Sequence, residues 1–154
     1  MNFFSDLFSN VIFVSAAIGW MVAQVAKTII HAIITKKFVA ERLVGSGGMP
    51  SCHSATVCAL STATAMECGA SSPEFAISVM LAIIVMYDAM GVRRETGIQA
   101  KILNEMIEVF TKMGKKMSAE EKLKEFIGHT PLQVLIGAIL GIIIALVMRG
   151  VLVG

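Results

Sequence analysis

Three short polar clusters interrupt an otherwise greasy chain. They are GSGGMPSCHS at 45–54, DAMGVRRETG at 88–97 and GHTP at 128–131. Together with Lys27 they supply two histidines (His53, His129), two adjacent arginines (Arg93, Arg94), a lysine, an aspartate (Asp88), a hydroxyl (Ser51) and a glycine pair (Gly47, Gly48). Arginine and lysine neutralise a phosphate, and arginine adds two-point geometry. N–H groups of a glycine-rich loop entering a helix add donors and a favourable dipole. Of two histidines working near neutral pH, one can attack phosphorus while the other protonates the leaving oxygen. No carboxylate cluster suited to Mg²⁺ accompanies them. The chemistry this set predicts is metal-independent cleavage of a phosphate ester through a phosphohistidine, with no cofactor.

Such a set works only if the chain brings the clusters together, and the apolar segments between them say how. The protein has 154 residues, enough for one domain, and is 56% hydrophobic with a mean hydropathy of +0.78. Only 16% of residues are charged. That is the profile of a polytopic, all-α membrane bundle. A net charge of +2 gives no reason to expect nucleic acid as a partner. Cys52, Cys58 and Cys68 have neither CxxC nor zinc spacing and read as small apolar fillers. The opening MNFFSDLF lacks a basic region, so no cleavable signal is expected.

About four spans are expected, at 11–34, 52–68, 75–92 and 131–148. The second is rich in Ala, Ser and Thr, which suits close packing inside a bundle better than exposure to lipid. Ser72 reads as an N-cap and Pro73 as the first residue of the third span. Residues 93–128 read as a charged helical segment whose ions from 99 to 125 form a solvated face. The first ten residues read as interfacial, with Phe3, Phe4, Leu7 and Phe8 on one side. Cations concentrate in the first and third connections. The positive-inside rule therefore puts those connections in the cytoplasm and both termini outside, in a plasma or bacterial inner membrane. All three polar clusters then meet on the cytoplasmic face, and Lys27 can extend toward it.

The same clusters carry a family resemblance. PSCH at 50–53 resembles the PSGH element of the type 2 phosphatidic acid phosphatases (PAP2), which share a fold with vanadium haloperoxidases. GHTPLQVLIGAILG at 128–141 resembles their third element. GGMPSCHSA, YDAMGVRRETGIQAKILN and GHTPLQVLIGAILG in this order look like the divergent branch of that family, over residues 15–148. The resemblance implies a PAP2-like fold, His129 as nucleophile, His53 as general acid, and Ser51 with the 47–52 backbone as phosphate binders. It also marks departures. The lysine and Arg-Pro pair of the first element are absent, and Lys27 is the expected substitute. No Ser-Arg pair precedes His129, since Lys122 and Leu123 stand there; Arg93 and Arg94 are expected to do that work. The acidic residue that orients the nucleophile falls at Gln133, and Asp88 is expected to replace it from the neighbouring helix.

The function expected is an integral membrane phosphatase acting on a lipid phosphate or isoprenoid (di)phosphate that enters from the bilayer. The rival expectation is an inactive protein that binds or transports a phosphate headgroup. Four short spans also leave room for a homodimer.

Overall fold

The computed structural model describes residues 2–38, 48–113 and 128–152, with only the backbone of Val92 and Arg93. Among the described residues there are six α-helices and no strand. They are α1 (Phe3–Ser9), α2 (Val11–Thr35), α3 (Cys52–Cys68), α4 (Pro73–Met90), α5 (Val92–Lys112) and α6 (Pro131–Leu152). Several start where local chemistry favours it. The Asn10 side chain accepts from the N–H of Phe13 at 3.0 Å and caps α2. Ser72 accepts from Phe75 at 3.1 Å and caps α4, with Pro73 just inside, as expected.

Three stretches are long and apolar enough to cross a membrane: α2, the run from Pro73 to Lys112 that joins α4 to α5, and α6. The expected span at 52–68 forms a helix with those bounds, but it is not among the three. Its 17 residues are short for a crossing as well as rich in Ser, Thr and Ala, and its place in the bundle explains that composition. α3 packs against α2, α4 and α6 at once, so it is the hub around which the apolar helices stand. Small side chains let three neighbours approach closely. In lipid, where helices gain little from hydrophobic burial, that packing is what holds them together.

The contacts are backbone-close. On α2 the buried stripe runs Ser15, Ala16, Gly19, Ala23, Gln24, Lys27 and Thr28. A Cβ at Gly19 would come 3.0 Å from Cβ of Ala59 and 3.1 Å from the carbonyl oxygen of Ala55. On α6, Gly137 rests on the backbone of Ser51 and Gly141 on that of Ala55, with no room for a Cβ at either. At the far end of the bundle, Arg149 of α6 donates from Nη1 to the carbonyl of Met66 at 2.8 Å. One of the carbonyls that the last turn of α3 leaves without a helical partner is thereby satisfied. α1 keeps Phe3, Phe4 and Phe8 exposed, in line with an interfacial segment.

α5 follows α4 after the single residue Gly91 and, among the described helices, packs against α4 alone. It carries the i,i+4 pairs Lys101–Glu105 at 3.9 Å and Lys112–Glu108 at 2.9 Å on its exposed side. The remainder of the expected 93–128 segment, from residue 114 to 127, lies outside the described residues.

Candidate functional site

Four chain segments converge at one end of the bundle, and two backbone hydrogen bonds fix them. The N–H of Ser51 donates to the carbonyl of Gln133 at 3.1 Å, tying the start of α3 to the start of α6. The N–H of His129 donates to the carbonyl of Ala89 at 3.1 Å, tying the segment before α6 to the end of α4. Gly128 lies so close to the backbone of Arg94 that no Cβ would fit, which brings the start of α5 alongside. The fourth segment is the C-terminal part of α2. Lys27, only 3% exposed, lies with its aliphatic stem against Gly48. A Cβ at Gly48 would come 3.1 Å from Cγ and Cδ of Lys27, and φ is +89° there, so glycine suits the position twice over.

The two histidines meet in this convergence. His53 is the second residue of α3 and half-buried; His129 is almost wholly buried. Their rings are 5.8 Å apart, centroid to centroid, and meet edge to face at 83°. The thiol of Cys52 lies 3.8 Å from Nδ1 of His53. His129 also borders a cavity of about 270 Å³, lined in addition by Arg94, Gly97, Ile98, Lys101, Gly128 and Thr130. A buried imidazole thus meets both a second imidazole and a space bordered by two cations.

The remaining expected residues fall as follows. Ser51 is fully buried and is the N-cap of α3: its oxygen accepts from the N–H of Ser54 at 3.3 Å and from the Ser54 hydroxyl at 3.0 Å. Asp88 lies in the last turn of α4, one residue before the carbonyl that holds His129. Arg94 is exposed and borders the cavity. Gly47 and the side chain of Arg93 lie outside the described residues. Gln133 has a clear local role: its Oε1 accepts from the N–H of Thr130 at 3.0 Å, and its own N–H donates to Thr130 Oγ1 at 3.4 Å. This is a reciprocal capping box at the start of α6.

Charge patterning puts Lys101 among the solvated ions of 99–125, yet it lines the cavity beside His129. The signal in the sequence is its spacing. Lys101 follows Arg94 by seven residues, two helical turns on one face. Gly97 between them leaves that face open.

Membrane-length apolar helices around a polar hub, with histidines and cations gathered at one end, define an integral membrane protein of helical-bundle class. Residues 8–144 match the divergent PAP2 family, and the chain belongs to it. It is also 38% identical over 152 residues to YuiD of Bacillus subtilis strain 168, an uncharacterised membrane protein, covering 93% of this chain and 96% of that one. No solved structure matches. The family expected from PSCH and GHTP is therefore the right one.

Proposed function

We propose that this protein is a metal-independent phosphatase for lipid phosphates or isoprenoid (di)phosphates, working through a phosphohistidine. The observation that carries this reading is the edge-to-face pair of His53 and buried His129 beside a cavity bordered by Arg94 and Lys101. In this mechanism a nitrogen of neutral His129 attacks phosphorus and the bond to the leaving oxygen breaks. Protonated His53 gives its proton to that oxygen. Neutral His53 then takes a proton from water as the water attacks the phosphohistidine, which releases inorganic phosphate and restores both rings. Arg94, with Lys27, Arg93 and the N–H groups at the start of α3, stabilises charge on the equatorial oxygens. Asp88, one residue before the Ala89 carbonyl that holds His129, is the carboxylate that steadies the imidazolium in this mechanism. The proposed topology has α3 as a fourth crossing, the histidine end in the cytoplasm and both termini outside, following the positive-inside rule.

The test is release of inorganic phosphate by purified protein with EDTA present. The panel is phosphatidate, phosphatidylglycerol phosphate and polyprenyl mono- and diphosphates, with His129→Ala and His53→Ala alongside. Turnover that His129→Ala abolishes and His53→Ala lowers by roughly 10²–10⁴ supports the mechanism. Turnover that survives His129→Ala, or that His53→Ala leaves unchanged, rules it out.

A second reading has its own observation. Gln133, at the family's acidic position, is engaged with Thr130 in the helix cap. A pocket without that carboxylate fits a protein that holds or moves a phosphate headgroup. Stabilisation by phosphate or vanadate without turnover on any substrate would favour it.

A further inference from the structure

A second cavity, of about 380 Å³, lies between α3 and α4 and is bordered by one residue of α6. We propose that it holds the hydrocarbon chain of the same molecule whose phosphate sits at the histidine pair. The inference rests on the histidine end being a phosphate site, whether or not phosphate is cleaved there.

The lining is apolar. α4 contributes Phe75, Val79, Ala82, Ile83 and Met86, and α6 contributes Ile142. Of the polar residues on the α3 side, Ser61 has its hydroxyl within 2.9 Å of the carbonyls of both Val57 and Ser78. That leaves little for a polar ligand to bind. Ile83 and Ile142 are exposed, so the cleft opens sideways, out of the bundle. A molecule can therefore enter it from lipid without passing through water.

The cleft also points at the site. Phe75, Val79, Ala82 and Met86 form one stripe of α4, at the three- and four-residue steps of a helix face. The next member of that stripe is Ala89, whose carbonyl holds the N–H of His129. Along the axis, Met86 is about 5 Å from Ala89 and Phe75 about 21 Å. On α3, Ala65, Ser61 and Cys58 continue to Ser54, which bonds Ser51 beside His53. Both walls thus lead from the cleft to the histidine end. Where they meet, the Cys58 thiol touches the Met86 sulfur at 3.9 Å. Met86 is unbranched and can swing aside for a chain of varied shape. A helix of a second copy is the poorer occupant, because about 380 Å³ holds a single chain and not a helix about 10 Å across.

The experiment uses the full-length protein in lipid nanodiscs. Alkyl monophosphates with short and long chains, each with a diazirine at the chain end, are photolysed and the labelled residues mapped. The alcohol of the same long chain is run in parallel. The expected result is phosphate-dependent labelling by the long chain at the end of the cleft away from the histidines, at Phe75, Val79 and the 61–65 stretch. Ala65→Phe and Val79→Trp, which fill the cleft, should reduce that labelling roughly tenfold, as methylene-scale misfit does in other apolar pockets. Both variants should bind the short-chain phosphate as before, which also shows that they fold. Equal labelling by the alcohol would mean an ordinary lipid contact and overturn the proposal. So would labelling concentrated on the outward Ile77 and Ile84. Phosphate release from the short-chain ester is scored separately, so loss of the phosphatase reading and loss of the chain site are distinct outcomes.

Discussion

Gln133 and Thr130 bond each other reciprocally at the start of α6, Oε1 to N–H at 3.0 Å and N–H to Oγ1 at 3.4 Å. The side chain at the position where the resemblance leads one to expect a carboxylate therefore holds its own helix end. Gln133→Ala should cost about 1 kcal/mol of stability, the usual value of a lost cap. Gln133→Glu should keep the cap and gain up to about 1 kcal/mol from a negative charge at the helix start. Thermal unfolding in detergent measures both. Phosphate release should not rise in Gln133→Glu, because its carboxylate is used in the cap. A severalfold increase would show that the position acts on His129 after all.

Glycines on α6 separate into two that touch α3 and one that stands clear of it. Gly141→Ala must push α6 off the backbone of Ala55, so it should destabilise by roughly 1–3 kcal/mol. Gly137→Ala should cost as much and also disturb Ser51, lowering phosphate binding at the site. A methyl group at Gly150 would meet nothing within 4 Å, and Gly150→Ala should stabilise by up to about 1 kcal/mol through helix propensity. Opposite signs on one helix, read by the same thermal melt, are the check.

Much of this arrangement is legible from the residues, and the gaps have physical reasons. Hydropathy and the Ser72-Pro73 start predict helices at 11–34, 52–68, 75–92 and 131–148, and four helices lie within a few residues of those bounds. The small side chains of 52–68 predict burial in the bundle, and α3 is its hub. What pattern cannot supply is depth across helices. Lys101 sits in a run of alternating charge that suits water, and only the approach of Gly128 to Arg94 turns its face toward a cavity. Ser51 is a hydroxyl in a segment expected to bind phosphate, but its use as the α3 cap depends on local backbone geometry. The resemblance leads one to expect a carboxylate at Gln133, but the bond from Thr130 three residues earlier gives this side chain a role of its own.

At the end of the bundle away from the histidines, Arg149 closes the last turn of α3. Arg149→Met would leave the Met66 carbonyl without that partner, at a cost of about 1–3 kcal/mol. Because the change lies at the opposite end of α3 from His53, the pH dependence of phosphate release should be unaltered. A lower melting temperature with an unchanged profile is the expected pair of results.

The two histidines predict that profile. One ring must be neutral to attack and the other charged to donate, so phosphate release should follow a bell-shaped curve with pH. His53→Ala should remove the fall in rate at high pH, where the general acid loses its proton, and lower the rate by roughly 10²–10⁴ for substrates with poor leaving groups. The loss should be smaller for a nitrophenyl phosphate, whose leaving oxygen needs little protonation. His129→Ala should abolish turnover on both. Equal losses for the two substrates in His53→Ala would remove it as the general acid.

Lys101 and Arg94 border the cavity beside His129 from one face of α5. Lys101 is well exposed and pairs with Glu105 only at 3.9 Å, so Lys101→Ala should leave stability within experimental error. Its effect belongs in binding. A unit charge near an exposed phosphate contributes on the order of 1 kcal/mol, so KM should rise severalfold while kcat stays near its original value. Arg94→Ala should raise KM and lower kcat together, because in the proposed mechanism Arg94 stabilises the transition state. Raising the salt concentration should weaken binding in the unaltered protein more than in Lys101→Ala, since screening removes what the substitution has already removed. If Lys101→Ala leaves both KM and its salt dependence unchanged, the cavity beside His129 is not where the phosphate binds.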